Sequence, residues 1–527
     1  MPGVCGLPEN KKGQALIVAY IIIGCLLIVS AALLSKSATE RNLVLKNKLI
    51  TEALYLAEGG VENAISTLTN AIANYQIAAD VETMNVTTNF PTFYNATVDA
   101  TITRLENSDR LITEGQTKVL ARNYEITATA THPRDNTVIV TVHQIIARRL
   151  IPTFQHAVFY NNDLEILPGK SMTVSGRIHA NKSIYIDAEG GATLKIDSFY
   201  LRSAGGIYNQ RKDNDDPLDG NVSIRVTKSG SAKYENMDSG DDTILDSDSE
   251  NWTTGAIDLW KGTVQSSSHG VTKLTAPSVG SIQPNGYYAS NAEITIINNQ
   301  IYKNGTLLVE GVDYPANTVT TSTDFYNNRE GKTIRMTNID MQKLAGVDAS
   351  CSTCTNNLPT NGLLYVTRTD AGATEEPGVK IVSGTELKIP AGANGLTVVS
   401  NDPVYIQGNY NITNEKPASI ICDSINILSS NWTSDTNSTK TLSSRKAGTT
   451  TVNSAFIAGV DETTDGKYNG GLENYPRLHE DWSGIDLNIK GSFVALWDSS
   501  VAKGAWKYGS PQYTAPNRNW IYNASFN

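Results

Sequence analysis

Residues 11–34 read KKGQALIVAYIIIGCLLIVSAALL. Lys11, Lys12 and Gly13 precede Gln14, and the run from Ala15 to Leu34 carries no charge. At about 1.5 Å per residue that run covers about 30 Å, the thickness of a bilayer's hydrocarbon core. It continues without proline, until Pro91, into SKSATERNLVLKNKLITEALYLAEGGVENAISTLTNAIANYQ, which keeps helical spacing. The order is polar leader, basic pair, glycine, membrane-length helix, amphipathic helix, large remainder. One helix is predicted from Gln14 to Gln76, about 95 Å long if unbroken. Leu45, Leu49, Leu56, Val61, Ala64, Ile65, Leu68 and Ile72 form its apolar stripe, and Gly59-Gly60 is a predicted bend.

Three readings fit this start. A secretory signal would be cut near Ser30, Ala31 and Ala32. A plain membrane anchor would keep the whole run. The third puts the cut between Gly13 and Gln14, leaving the apolar helix on the mature chain. In this it resembles the class III signal of type IV pilins and pseudopilins. The stretch Ala53-Leu54-Tyr55-Leu56-Ala57-Glu58-Gly59-Gly60-Val61-Glu62-Asn63-Ala64 is similar to that of PilX-type minor pilins. The resemblance implies a prepilin peptidase that recognises Lys11, Lys12, Gly13 and Gln14. It also implies a membrane and filament helix carrying Ala15, Val18, Ile22, Leu26 and Leu33.

One departure is informative. Most pilins place a glutamate fifth after the cut, where this chain has Val18. In the family that carboxylate pairs with a neighbour's terminal amine, offsetting the cost of charge in lipid. The GspK-type pseudopilin, which resembles a filament tip, lacks it. Valine here therefore favours a tip or initiating subunit.

A chain of 527 residues suggests about two to four domains. A net charge of −10, without a basic patch interleaved with aromatics, excludes the nucleic-acid binders. Only 18% of residues are charged while Asn, Thr, Ser and Gly abound, a balance suited to an exported β-rich surface protein.

The predicted fold class is α+β followed by mainly β. Residues 1–13 are the leader, 14–76 the transmembrane and amphipathic helix, and 77–150 a small antiparallel sheet. Tyr94–Ile102 and Tyr124–Thr131 alternate apolar and polar, and the loop His132–Asn136 returns the chain into Thr137–Val142, a hairpin. Residues 151–200 and 362–527 hold short strands separated by glycine and asparagine, such as Ile184–Ile186, Leu396–Val399 and Ile425–Leu428. Their spacing predicts a β-solenoid, with an antiparallel β-sandwich as the alternative. Residues 201–361, rich in Asp, Ser, Asn and Thr, are predicted to be a polar insertion. The C-terminal stretches 402–411, 470–477 and 480–484 also resemble the tails of large PilX-like proteins.

Chemistry is sparse. Cys351 and Cys354 could close a small disulfide, and the histidines show no zinc spacing. Acidic stretches at Asp213–Asp216, Asp238–Asp248 and Asp461–Asp465 offer calcium-type oxygen ligands without a full calcium-loop spacing. Trp432, Trp482, Trp497, Trp506 and Trp520 suit either core packing or a sugar-stacking surface. No nucleophile elbow, phosphate loop or dinucleotide fingerprint occurs, and no catalytic residue is assigned. The expected function is a large minor pilin or tip subunit, held in the inner membrane before assembly and then displayed at the cell surface. Its expected partners are the prepilin peptidase, other pilins, the assembly machinery and an unidentified surface or glycan ligand. The alternative is a membrane-tethered β-solenoid that binds or cleaves envelope polysaccharide.

Overall fold

A computed structural model describes residues 11–73, 83–114, 117–226, 231–238, 244–349 and 351–526. Residues 1–10 of the expected leader and the last predicted helical residues, 74–76, lie outside these. The chain divides into two units. One holds Met1–Ile72, Gln76–Leu111 and Leu120–Leu150; the other holds Ala73–Tyr75, Ile112–Val119 and Ile151–Asn527.

The first unit begins with helix α1 (Lys11–Ala73), 63 residues long. Its front half is apolar and bare: Val18, Ile22, Leu26 and Leu33 are each more than half exposed. It is long and apolar enough to cross a membrane, as a single-pass anchor near the N-terminus would. The rear half buries Ala53, Leu56, Ala57, Val61, Ala64 and Leu68, spaced to share one face. Leu45, expected in that stripe, is exposed.

Four strands follow α1 in the sequence: β1 (Thr83–Phe90), β2 (Ala96–Arg104), β3 (Arg110–Glu114) and β4 (Thr117–His132). A fifth strand, β5 (Asp135–Leu150), completes an antiparallel sheet in which β4 pairs with both β2 and β5. Val98, Ala100 and Ile102 of β2, with Ile126, Ala128 and Ala130 of β4, alternate inward onto the helix stripe. The helix continues through Gly59 and Gly60, where the sequence predicts a bend. These glycines instead admit the sheet: a Cβ on Gly60 would lie 2.5 Å from Val98 Cγ1.

The second unit is mainly β, and its large sheets are built from parallel ladders. In one series Val158 lies opposite Ile178, Ile178 opposite Leu201, and Leu201 opposite Val264. In a later series the strands Leu363–Thr367, Leu396–Ser400, Ala418–Cys422, Ala455–Val460 and Phe493–Asp498 pair in parallel, each with the next. The two series join where Phe493 lies opposite Val158, making one 12-stranded sheet. Companion ladders run through Leu164–Ile166, Ile184–Ile186 and Ile207–Tyr208, and through Val404–Gln407, Ile425–Leu428 and Pro476–Leu478. Parallel pairing of this extent is not that of an antiparallel sandwich.

Short strands suffice because each places one or two apolar side chains in a shared core. Ile178, Ile184, Ile186, Leu194, Ile196, Leu201, Val222 and Ile224 are fully buried there. Corners between strands carry polar stacks. Asn181 Nδ2 donates to Asn161 Oδ1 at 2.9 Å, and the Ser183 N–H to Asp163 Oδ1 at 2.7 Å, each pair 20 residues apart. Such bonds satisfy groups that would otherwise be buried without partners.

The polar insertion expected over 201–361 is not a separate body. Leu201–Ser203, Asn221–Arg225 and Val264–Gln265 extend ladders begun upstream, while Ile294–Ile297 and Lys332–Asp340 pair in parallel with Leu363–Thr367 and Glu375–Val382. The abundant Asp and Ser there occupy connections, while the strands remain apolar at alternate positions.

Candidate functional site

The seam between the two β series holds a narrow polar cleft of about 30 Å³, room for little more than a water. Tyr160, Asn162, Asp163 and Glu165 reach it from the first series; Asp461, Glu462 and Thr463 reach it from the loop after Ala455–Val460. Arg477 and Asp498 enter from strands of the later series, and Lys212 and Arg329 from connections. Residues far apart in sequence meet because the ladder brings the last strand of the 12-stranded sheet, in chain order, beside its first.

Its cations are already paired. Lys212 Nζ lies 2.8 Å from Asp163 Oδ2 and 3.0 Å from Glu462 Oε1. Burial opposes the lysine's charge, but these carboxylates outweigh it and hold its pKa above the ordinary value. Arg329 and Arg477 share Asp461 Oδ2 at 3.1 and 3.3 Å. Burial lowers the Arg329 pKa to about 10, helped by the neighbouring Arg477 charge.

Two carboxylates have no cation bound to them. Glu165 accepts hydrogen bonds from the Thr463 hydroxyl and from the Lys212 N–H, the latter at 3.3 Å. Asp498 accepts from Asn162 Nδ2 at 3.1 Å. Burial pushes both pKa values up, and for Asp498 the Glu462 charge adds to it. The Tyr160 hydroxyl, also at the cleft, is buried with no hydrogen-bond partner among the described residues.

An aromatic ledge adjoins this cleft. Trp506 stacks on Tyr508 with centroids 6.4 Å apart at 20°, and meets Tyr468 edge-on at 5.0 Å. Trp506 Nε1 donates to Tyr513 Oη at 3.0 Å, and that hydroxyl donates to Asn474 Oδ1, on the cleft wall. Gly470 makes room for the indole: its φ is +103°, and a Cβ there would lie 2.4 Å from Trp506 Cδ1. Tyr508 is 55% exposed, so the ledge faces solvent.

Of the residues singled out from sequence, Asp461 and Glu462 line the cleft and Trp506 forms the ledge, while the others fall elsewhere. Lys11 and Lys12 open α1, Gly13 and Gln14 follow in its exposed first turns, and Ala15 is likewise exposed. Cys351 and Cys354 are joined in a disulfide, their Cα atoms 5.5 Å apart. Trp432, Trp482, Trp497 and Trp520 are buried, leaving Trp506 alone of the five at the surface. His479 Nε2 lies 2.9 Å from Asn426 Oδ1, and Glu480 accepts from the Ser429 N–H and hydroxyl, so both are locked in the interior.

The calcium expectation finds no support: among the described residues no three acidic, His or Cys side chains group to hold an ion. Asp213 is engaged by Arg211 at 2.8 Å, and Asp461 by its two arginines. Residues 239–243 of the second acidic stretch lie outside the described residues. Sequence reasoning missed Glu165, Lys212 and Asp498, which no local motif connects. Comparison with protein-family models, curated proteins and solved structures finds no match to this chain.

Proposed function

We propose that this chain is a large minor pilin, or pilin-like tip subunit, of a type IV pilus or related secretion filament. One observation carries the reading: α1 divides its labour. Its front half leaves an apolar surface bare, while the rear half, within the same helix, packs on an antiparallel meander. A subunit that must sit in lipid and later enter a filament needs that division. A peptidase removes Met1–Gly13, and the run from Gln14 to Leu34 then holds the subunit in the inner membrane. The assembly machinery draws it into a fibre through contacts of Ala15, Val18, Ile22, Leu26 and Leu33 with other pilins. Val18, with no carboxylate to pair with a neighbour's amine, favours a tip or initiating position.

We read the parallel ladders as rungs of a β-solenoid displayed outside the cytoplasm to bind a surface or to initiate assembly. That body presents a ligand and does not transform it. Isolated surface fibres are expected to carry the chain in trace amounts, and deleting residues 14–34 abolishes that association. Chain found in membranes but never with fibres favours the tethered, polysaccharide-binding or -cleaving alternative.

A further inference from the structure

We propose that the free edge of β5 receives an extended strand from a different protein, one that is uncharged and β-branched along the pairing and flanked by a carboxylate. The strand is built unlike its neighbours. The face of the sheet turned away from α1 is polar in register: Asn85, Thr101, Thr127 and His143 lie side by side on β1, β2, β4 and β5, and so do Thr87, Asp99, Thr129 and Thr141. Hydrogen bonds tie these rows together, as from Thr87 Oγ1 to Asp99 Oδ1 at 2.7 Å and between the Thr129 and Thr141 hydroxyls at 3.1 Å. In the rows these four strands share, apolar side chains reach this face only from β5. Ile139 and Ile145, opposite Thr131 and Glu125, are 60% and 64% exposed.

β5 pairs with β4 alone, so from Ile139 onward its second edge is unpaired among the described residues. Edge strands are ordinarily blunted by lysine, proline, a bulge or an inward charge. From Ile139 to Ala147 the sequence is IVTVHQIIA, without Lys, Arg, Asp, Glu or Pro, and the one register irregularity lies before it, beside His132. On the α1 side Val140, Val142 and Ile146 are only half-buried. A strand apolar on both faces belongs inside a sheet. An added strand covers both rows and gives the edge amides and carbonyls their partners.

Geometry excludes a second copy of this chain. Two β5 edges would pair antiparallel about a two-fold axis normal to the sheet. Because α1 lies along the sheet's face, that axis turns the second α1 end for end. The two apolar halves would then point in opposite directions, which a single membrane cannot accept. Charge describes the partner instead. β5 is neutral from Ile139 to Ala147 and then carries Arg148 and Arg149, so its complement is a neutral strand with an acid at one end.

This inference goes beyond the filament reading and rests on the sheet of the first unit. The probe is a synthetic peptide with glutamate first and threonine alternating with valine after it, added to the full chain in detergent micelles. Hydrogen exchange at 139–147 is expected to slow about ten-fold at saturation, while β1, at the opposite edge, does not change. Putting lysine in place of the peptide's glutamate weakens binding about five-fold. Of two peptides N-methylated at alternate residues, one loses binding and the other keeps it, because a strand pairs through one edge. Ile145→Lys abolishes binding at an unchanged melting temperature, since that side chain is exposed. No slowing at 139–147, equal binding of both N-methylated peptides, or full binding by Ile145→Lys would overturn the proposal. Protection of 139–147 that rises with protein concentration in the absence of peptide would put a second copy at this edge and overturn the choice of partner. A mature chain that does not begin at Gln14 would leave this result standing and remove only the filament reading.

Discussion

Asn161 Nδ2 donates to the carbonyl oxygen of Leu496 at 3.1 Å, a bond that spans 335 residues of sequence. The Asn161 N–H donates beside it to Ala495 O at 2.8 Å. These bonds mark the seam at which Phe493–Asp498 closes against Val158–Tyr160. Four strands of the 12-stranded sheet lie on one side of this seam and eight on the other.

A chain ending at Gly491 therefore loses the strand that covers Val158–Tyr160. The segment becomes an open edge: the Asn161 N–H loses its acceptor on Ala495, while the Val158 N–H keeps Arg177 O. Hydrogen exchange at 158–160 is expected to rise by orders of magnitude toward local-unfolding rates, with aggregation on heating. Asn161→Ala alone removes both the bond to Leu496 O and the one accepted from Asn181 Nδ2, and costs about 2 kcal/mol. Unchanged protection of 158–160 in the truncated chain would contradict the seam.

Helix α1 offers a contrast between adjacent glycines. Alanine normally stabilises a helix interior by about 1 kcal/mol over glycine. At Gly60 a Cβ meets the fully buried Val98, which has nowhere to retreat, so Gly60→Ala is expected to destabilise the chain by about 1–2 kcal/mol net. At Gly59 the obstacle is the tip of the Phe90 ring, 2.8 Å away and only partly buried. That ring can swing aside, and Gly59→Ala is expected within about 0.5 kcal/mol of the parent. Thermal melts in one detergent compare the two.

What was legible in the sequence is what local pattern controls. An uncharged run from Ala15 to Leu34 can hardly be anything but an apolar helix, and alternation in Tyr94–Ile102 and Tyr124–Thr131 marked two strands of the sheet. The small alanines at 53, 57 and 64 permit close helix–sheet packing, but periodicity alone extended the stripe to Leu45, where no sheet lies beneath. In the second unit, strands were visible where Ile and Val cluster, as at Ile425–Leu428. They were missed at Leu201–Ser203 and Val264–Gln265, whose surroundings are polar and whose apolar content is one or two residues. The cleft was illegible for a different reason. Asp163, Lys212 and Glu462 become neighbours only through the ladder, and no spacing in the chain announces a contact set by topology.

Stability should report on the buried carboxylates. Burial raises the Glu480 pKa to about 7, against hydrogen bonds from Ser429 that favour the charged form. The folded state thus holds that proton more tightly than the unfolded chain, whose carboxyl titrates near 4.5. Its contribution is fully present below about pH 4.5 and is lost as pH rises through about 7. Asp402 and Glu473, also raised to about 7 by burial, act in the same direction. His479 opposes them: burial holds its pKa to about 3, so acidification below 6.5 favours the unfolded chain. Subtracting Glu480→Gln from the parent isolates one group. The parent's stability relative to the variant is expected to decline between pH 4.5 and 7; a flat difference would refute the assignment.

The central claim is that the chain is cut between Gly13 and Gln14, just ahead of the apolar half of α1, which stays on the mature protein. Mass spectrometry of the mature chain, recovered from cells that assemble surface fibres, tests it most directly. A first residue at Gln14, with Met1–Gly13 removed, is the predicted result. A chain that starts at Met1, or after Ala31 or Ala32, would contradict it.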